Sequence, residues 1–202
     1  MKATSTLLAI TLWACSGAAL AAAVPGEAVP DFSVVDAEGN THTQADYEGS
    51  WLVVEWFNKD CPFVKKHYTG SDNMPQTQAF ARDNDVEWLT VISSNVGTQG
   101  YLEPAQALSV AQEYNLQASA PFLLDVSGDM GRAFDARVTP HMYVINPQGT
   151  VVYAGAIDSN SSANPAVIPE STNYVQQALE ESLAGQAVSV PVTQAYGCTV
   201  KY

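Results

Sequence analysis

The chain has 202 residues, 47% hydrophobic and only 14% charged, with 8 Lys plus Arg against 21 Asp plus Glu and a net charge of -13. That length fits one domain of ordinary size. The acidic balance argues against general binding to nucleic acid, whose phosphates it would repel, and against a role on anionic membrane surfaces.

Residues 1–23 read as an export signal. Lys2 gives a weakly basic start, Leu7 to Trp13 an apolar core, and Ala19-Leu20-Ala21 or Ala21-Ala22-Ala23 a small-residue cleavage end. The apolar core is compact for a transmembrane anchor, and no later segment is long and apolar enough to span a bilayer. The expected destination is a bacterial periplasm. An alternative is a lipoprotein anchored at Cys15, for which Leu12 and Ala14 fit and Trp13 does not. Removing residues 1–23 leaves two cysteines, Cys61 and Cys198, in a compartment where disulfides persist. Only one intramolecular pairing is open to them.

Residues 24–187 are expected to form one domain. After a linker, Asp31 to Asp36 alternates as a strand does, and Glu38-Gly39-Asn40 supplies a turn. Trp51 to Phe57 is apolar apart from Glu55 and rich in β-branched and aromatic residues, which predicts a short strand covered on both faces. Asn58, Lys59 and Asp60 break the run, and Cys61 precedes Pro62, a residue at home in the first turn of a helix. Cys61 is therefore placed where a central strand hands over to a helix. Free amides and the helix dipole favour a thiolate there, Lys65 and Lys66 add positive potential, and Asp60 opposes them. A small, inert, buried thiol is the alternative.

The helix is expected to end near Tyr68, before Gly70-Ser71. Met74 to Asn84 reads as a second helix, with Met74, Ala79 and Phe80 inward. Val86 to Ile92 is a strand parallel to the first, and Ser93 to Gly100 is a loop on the sheet's C-terminal rim, where α/β sheets commonly hold sites. Glu103 to Tyr114 carries Ala107, Val110, Ala111 and Tyr114 at helical spacing. Phe122 to Asp125 is a short strand and Met130 to Ala136 a small helix. Arg137-Val138-Thr139-Pro140-His141 leads into the strand Met142 to Ile145, which turns at Asn146 to Gly149 into an antiparallel partner, Val151 to Gly155. A proline directly before a strand loses a ladder donor. Ser159 to Glu170 is a polar loop and Asn173 to Ala184 the last helix. The tail, residues 188–202, is not purely polar and is expected to pack back onto the domain.

These residues carry a resemblance. Pro30-x-Phe32 with Asp36-x-x-Gly39, Cys61 after the Trp51 strand, and Thr139-Pro140 resemble the thioredoxin superfamily, in its redoxin and peroxiredoxin-like (AhpC/TSA-like) branch, over roughly Val29 to Ala184. The resemblance implies an α/β fold, a thioredoxin-like central mixed sheet flanked by helices with an N-terminal hairpin extension. It implies that Pro140 is cis and faces Cys61, and that Thr139 offers its backbone to a bound peptide, thiol or disulfide; an ordinary edge-strand proline is the alternative. Two departures stand out. Val64 replaces the second cysteine of Cys-x-x-Cys, and the Pro-x-x-x-Thr-x-x-Cys pattern of typical peroxiredoxins is missing before Cys61. The Gly197-Cys198-Thr199-Val200-Lys201 ending is similar to that of some uncharacterised exported members of the redoxin-like group.

A thiolate attacks a disulfide sulfur or a peroxide oxygen, and the mixed disulfide or sulfenic acid that results needs a second thiol. Cys198 is the only internal source. The reading is a thiol-based oxidoreductase with Cys61 as nucleophile and Cys198 as resolving cysteine. The alternative is a non-catalytic binding or scaffold protein with a permanent Cys61–Cys198 disulfide, which would stabilise the fold by ~2–4 kcal/mol. If the two never meet, Cys61 must use an external thiol. In supporting roles, Glu55 is a proton relay if buried, as the resemblance implies, and Lys65 tunes the thiolate together with Lys66. Trp56 and Phe63 line the cysteine or fill the core, and Arg137 polarises a peroxide. His42 and His67 are expected on the surface, and His141 near the site by position alone. Cys61, His67, His141 and Cys198 form no compact ligand pattern, so neither metal nor cofactor is expected. The partners expected are a thiol, disulfide or peroxide substrate and an external thiol reductant or redox partner protein.

Overall fold

The computed structural model describes residues 23–202. The cleavage signal and the Cys15 anchor fall almost wholly on residues 1–22, outside the described residues.

Strands β1 (Ser33–Val35) and β2 (Thr41–Thr43) form an antiparallel hairpin. Asp36 holds its turn, accepting hydrogen bonds from the backbone N–H groups of Glu38 at 2.8 Å and Asn40 at 2.9 Å. The chain continues through β3 (Trp51–Trp56), α1 (Pro62–His67), α2 (Asn73–Asp83) and β4 (Val86–Ile92). Then come α3 (Pro104–Glu113), β5 (Leu123–Leu124), α4 (Asp129–Phe134), β6 (Val138–Thr139), β7 (His141–Ile145) and β8 (Val151–Gly155). Helix α5 (Tyr174–Leu183) and β9 (Cys198–Thr199) close the order. The expected loop at Ser159 to Glu170 contains a 3-10 turn, Pro165–Glu170.

The central sheet has five strands in the order β5-β4-β3-β7-β8. β3 runs parallel to β4, and β4 to β5, whereas β7 is antiparallel to both β3 and β8. Parallel neighbours need a crossover, and α1 with α2 supplies it between β3 and β4. The α/β class expected from the sequence, a mixed central sheet flanked by helices, is the class observed.

Because side chains alternate along a strand, β3 divides the core in two. Leu52, Val54 and Trp56 face Phe32, Met130, Phe134 and Tyr143. Val53 and Phe57 face Val64, Tyr68, Met74, Trp88 and the α5 residues Val175 and Leu179. Cys61 lies in this second layer. Helix α2 turns Met74, Thr77, Gln78 and Ala81 inward, while Ala79 and Phe80 are only partly covered. Polar Thr77 and Gln78 are tolerated inside because each is hydrogen-bonded: Thr77 to the Asn73 carbonyl, Gln78 to Glu55 and Tyr68.

The last residues run back across the domain. Ser189 is held by the Glu181 carboxylate, and the Thr193 N–H donates to the Ala154 carbonyl at the edge of β8 while the Ala154 N–H donates to the Pro191 carbonyl. β9 then pairs antiparallel with β6. The Val200 N–H donates to the Arg137 carbonyl, and the Lys201 carbonyl accepts from Asn95 at 2.9 Å. The Tyr202 ring fills a slot that exists because residue 131 is glycine, since a Cβ there would collide with the ring. Arg132 covers that ring at 4.8 Å from its centroid. The tail thus crosses the rim just beyond the C-terminal ends of β3 and β4. Among the described residues, no helix is long and apolar enough to cross a membrane.

Phe134 is 1% exposed, with ring centroids 5.1 Å from Trp56 and 5.3 Å from Tyr143. Phe134→Ala is expected to cost about 3–5 kcal/mol in a denaturant titration, because the sheet above it is rigid and the cavity stays open. A loss below about 1 kcal/mol would mean that this layer is not packed as described.

Candidate functional site

Cys61 caps α1 in extended geometry, with φ -76° and ψ 123°. Its N–H donates to the Asn58 carbonyl and its own carbonyl accepts from Lys65, so the strand-to-helix turn fixes its backbone on both sides. The side chain is fully buried, at 0% exposure. Its Sγ–H donates to the carbonyl of Thr139 at 3.0 Å. The Thr139–Pro140 peptide bond is cis, and both residues are buried.

The second cysteine meets this group. In the β6–β9 ladder Cys198 stands opposite Thr139, and the Thr139 hydroxyl donates to the Cys198 carbonyl at 3.4 Å. Cys61 and Cys198 are both free thiols, and they converge on Thr139, Cys61 through its hydrogen bond to the carbonyl and Cys198 through the ladder. Burial, then the neighbouring Cys61, push the Cys198 thiol up to about 12, against a smaller downward pull from Lys201. Cys198 is therefore protonated at neutral pH. Gly197 permits the approach: it has φ +151°, and any Cβ there would overlap the Thr139 carbonyl. The backbone that the resemblance offers to a bound peptide is occupied by the chain's own tail.

Glu55 lies in the Cys61 layer, at 0% exposure. Its carboxyl group accepts from the hydroxyl of Tyr68 at 2.7 Å, Nε1 of Trp88 at 3.1 Å and Nε2 of Gln78 at 3.2 Å. Burial pushes it up to about 7, and these donors only partly offset that rise. Tyr68 is raised well above its ordinary range by burial and then by the Glu55 charge.

A second polar cluster joins α1 to the tail. Lys66 is buried, and its ammonium donates to Asp158 at 2.7 Å, to the Asn160 carbonyl at 2.7 Å and to the Tyr196 hydroxyl at 3.1 Å. The Tyr196 hydroxyl donates to the other Asp158 oxygen in a short hydrogen bond. His67 is buried as well, contrary to the surface position expected for it, and burial holds it down at about 4, hence neutral. Asn73 donates to its Nδ1 at 2.8 Å, so the hydrogen-bond network assigns the ring proton to Nε2, 3.3 Å from the Tyr196 oxygen. Asp158 and Tyr196 were not legible as partners. The one available hint was an aromatic hydroxyl two residues before a cysteine in an apolar tail.

Other expectations need correction. Trp56 does not line the cysteine. It points to the opposite face of the sheet, where its Nε1 donates to Ser93 at 2.9 Å. Arg137 polarises nothing here: its guanidinium is exposed and forks onto Asp135 at 2.7 and 3.1 Å. Lys66 is committed to Asp158, while Lys65 is exposed and joins no ion pair among the described residues. Phe63 stacks edge-on against Tyr196 at 5.7 Å. His42 is partly buried and bonded to Asp36 and Tyr47. His141 packs on Tyr143, a neighbour of Trp56 on the face away from Cys61. Among the described residues, no three His, Cys, Asp or Glu side chains converge as metal ligands.

Glu55 generates a pH prediction. It keeps its proton when folded at pH values where the unfolded chain has lost it, so its stabilising contribution is complete below about 4.5 and lost as pH rises through about 7. Relative to Glu55→Gln, the natural protein is expected to lose about 3 kcal/mol of unfolding free energy across that window. The buried histidines act with the opposite sign over overlapping pH, but they are common to both proteins and cancel. Parallel denaturant titrations check this, and equal slopes with pH would contradict it.

A hypothetical protein of Sinorhizobium meliloti 1021 has the same fold, with TM-score 0.73 at 20% identity, over 89% of this chain and 94% of that one. An uncharacterised conserved protein of Geobacillus kaustophilus gives TM-score 0.70 at 22% identity, over 89% and 93%. The thioredoxin domain of a thiol-disulfide oxidoreductase of Bacteroides vulgatus gives 0.52 at 15% identity, over 73% and 96%. No match to the curated proteins is found. The AhpC/TSA family model matches residues 25–154, which include Cys61 and the Thr139–Pro140 turn and leave Cys198 outside. Since that match spans well over half of the sequence, the chain belongs to the AhpC/TSA family.

Proposed function

We propose that this protein is an exported thiol–disulfide oxidoreductase whose redox pair is Cys61 and Cys198. The observation that carries the reading is the convergence of both cysteines on Thr139 at the cis Thr139–Pro140 turn, Cys61 on its carbonyl and Cys198 opposite it in the ladder. Export rests on residues 1–23, and in such a compartment the pair would cycle between dithiol and disulfide. Cys198, held as a protonated thiol, suits the resolving role and leaves Cys61 as the nucleophile.

The Cys61 sulfur attacks one sulfur of a substrate disulfide, whose S–S bond breaks; the released thiolate takes up the Cys61 proton. The Cys198 sulfur then attacks Cys61 in the mixed disulfide, and the second substrate thiol leaves with the Cys198 proton. The substrate gains two electrons and the protein loses two; an external dithiol or redox partner protein restores it. Disulfide exchange is preferred to peroxide reduction because Arg137 is turned onto Asp135 and the peroxiredoxin pattern is missing. Pro140 and Thr139 frame the reacting sulfur. Glu55 is proposed as a proton relay in the same layer, and Lys65 as a source of positive potential.

The competing reading is a permanent structural disulfide, which the full burial of Cys61 favours. Equilibration in glutathione buffers separates the two. A redox pair is expected to form the disulfide with loss of two hydrogens and a potential between about -270 and -120 mV. Cys61→Ser is expected to abolish reduction of a model protein disulfide, and Cys198→Ser to trap a mixed disulfide at Cys61. A potential below about -300 mV, or no internal disulfide, overturns the proposal.

A further inference from the structure

We infer that Tyr196 is a positioning residue for the cysteine pair: its hydroxyl is locked into the buried Lys66–Asp158–His67 cluster and so holds Cys198 against Cys61. The inference rests on the proposed Cys61–Cys198 couple and adds to it the group that sets how strongly the couple forms.

The cluster is built for holding. Lys66 and Asp158 are 1% and 3% exposed, so neither charge is solvated and each needs the partners present. Tyr196 takes one oxygen of Asp158 while Lys66 takes the other, and the Tyr196 oxygen faces both the Lys66 ammonium and Nε2 of His67. The ring is packed as well as bonded, with Phe63 against it and the Lys66 ammonium 5.4 Å from its centroid. Among the described residues no buried side-chain nitrogen or oxygen lacks a partner, and withdrawing Tyr196 would end that state for Nε2 of His67 and leave Asp158 Oδ1 with the Asn160 N–H alone.

Location turns this hold into chemistry. Lys66 and His67 belong to α1, the helix that Cys61 caps, and Tyr196 stands two residues before Cys198. Gly197 alone separates the locked residue from the cysteine, and its approach to the Thr139 carbonyl leaves little play. The same helix therefore carries one thiol at its start and the lock for the other in its last turn. An internal disulfide competes with a mixed disulfide between Cys61 and an external thiol. The outcome depends on the effective concentration of Cys198 at Cys61, and a short, locked tether raises that concentration.

The test compares the natural chain with Tyr196→Phe in glutathione buffers of stepped ratio, with the internal and glutathione-mixed disulfides resolved by mass. Tyr196→Phe is expected to lower the equilibrium constant of the internal disulfide about tenfold, about 30 mV, and to raise the mixed disulfide at Cys61 correspondingly. Thermal unfolding of Tyr196→Phe in a Cys198→Ser background measures the effect of the hydroxyl without the pair. If unfolding shifts while the redox equilibrium stays within twofold, the residue is merely structural and the inference is overturned. If the natural chain forms no internal disulfide, the proposed couple itself fails, a different result. Should Tyr196→Phe not fold, one glycine inserted between Tyr196 and Gly197 leaves the lock intact and slackens its hold. The same tenfold drop is expected there, and an unchanged equilibrium overturns the inference.

Discussion

The carbonyl of Thr139 is the point on which the site depends. It accepts the Cys61 thiol, and Gly197 packs against it closely enough to exclude any side chain. β6 is only two residues long, and its ladder partner is the tail strand β9. Buried backbone groups need partners, so the tail completes this strand rather than decorating it. Lifting the tail would expose the β6 edge and withdraw Cys198 from its place opposite Thr139 in one movement.

A two-residue ladder is a weak hold. Each hydrogen bond contributes a net ~0.5–1.5 kcal/mol, whereas fixing each backbone residue costs ~1–2 kcal/mol. The tail stays in place because it is anchored on both sides of Cys198. Before it stands Tyr196, locked to Lys66 and Asp158; after it come Val200, buried at 8% exposure, and Tyr202 in its slot beside Gly131. The buried ion pair is costly in its own right, since two ions leave water to form it. Its return is positional, because the one hydroxyl of Tyr196 meets Asp158, Lys66 and His67 together.

The sheet was legible because its signals are local. The β-branched run at Trp51 to Phe57 and the proline after Cys61 each report on their own few residues, and the strands and helices they predict are present. The side-chain assignments that failed concern which face or which partner a residue finds. Trp56 next to Glu55 reads as one apolar strand, yet alternation sends the two to opposite layers. Adjacent Lys65 and Lys66 look alike in sequence, but only Lys66 faces a carboxylate, 92 positions away at Asp158. His67 was misplaced for the same reason, since its neutrality depends on a pocket closed by Tyr196 and Asn73. Tertiary pairings across such separations leave no periodic trace.

The burial of the two sulfurs differs, and under the proposed cycle that difference orders the half-reactions. With the tail docked, Cys61 is fully covered while Cys198 is partly exposed. Thiol exchange depends on which sulfur an attacking thiol can reach. A reductant meeting the oxidised protein therefore encounters Cys198 first, and its attack there releases Cys61 as the leaving thiolate. A substrate disulfide meeting the reduced protein needs Cys61, which is covered, so oxidation calls for an opening around Cys61 and reduction does not. One strap that can be strong or weak at Tyr196 then bears on both halves, on access to Cys61 and on how firmly the internal disulfide holds.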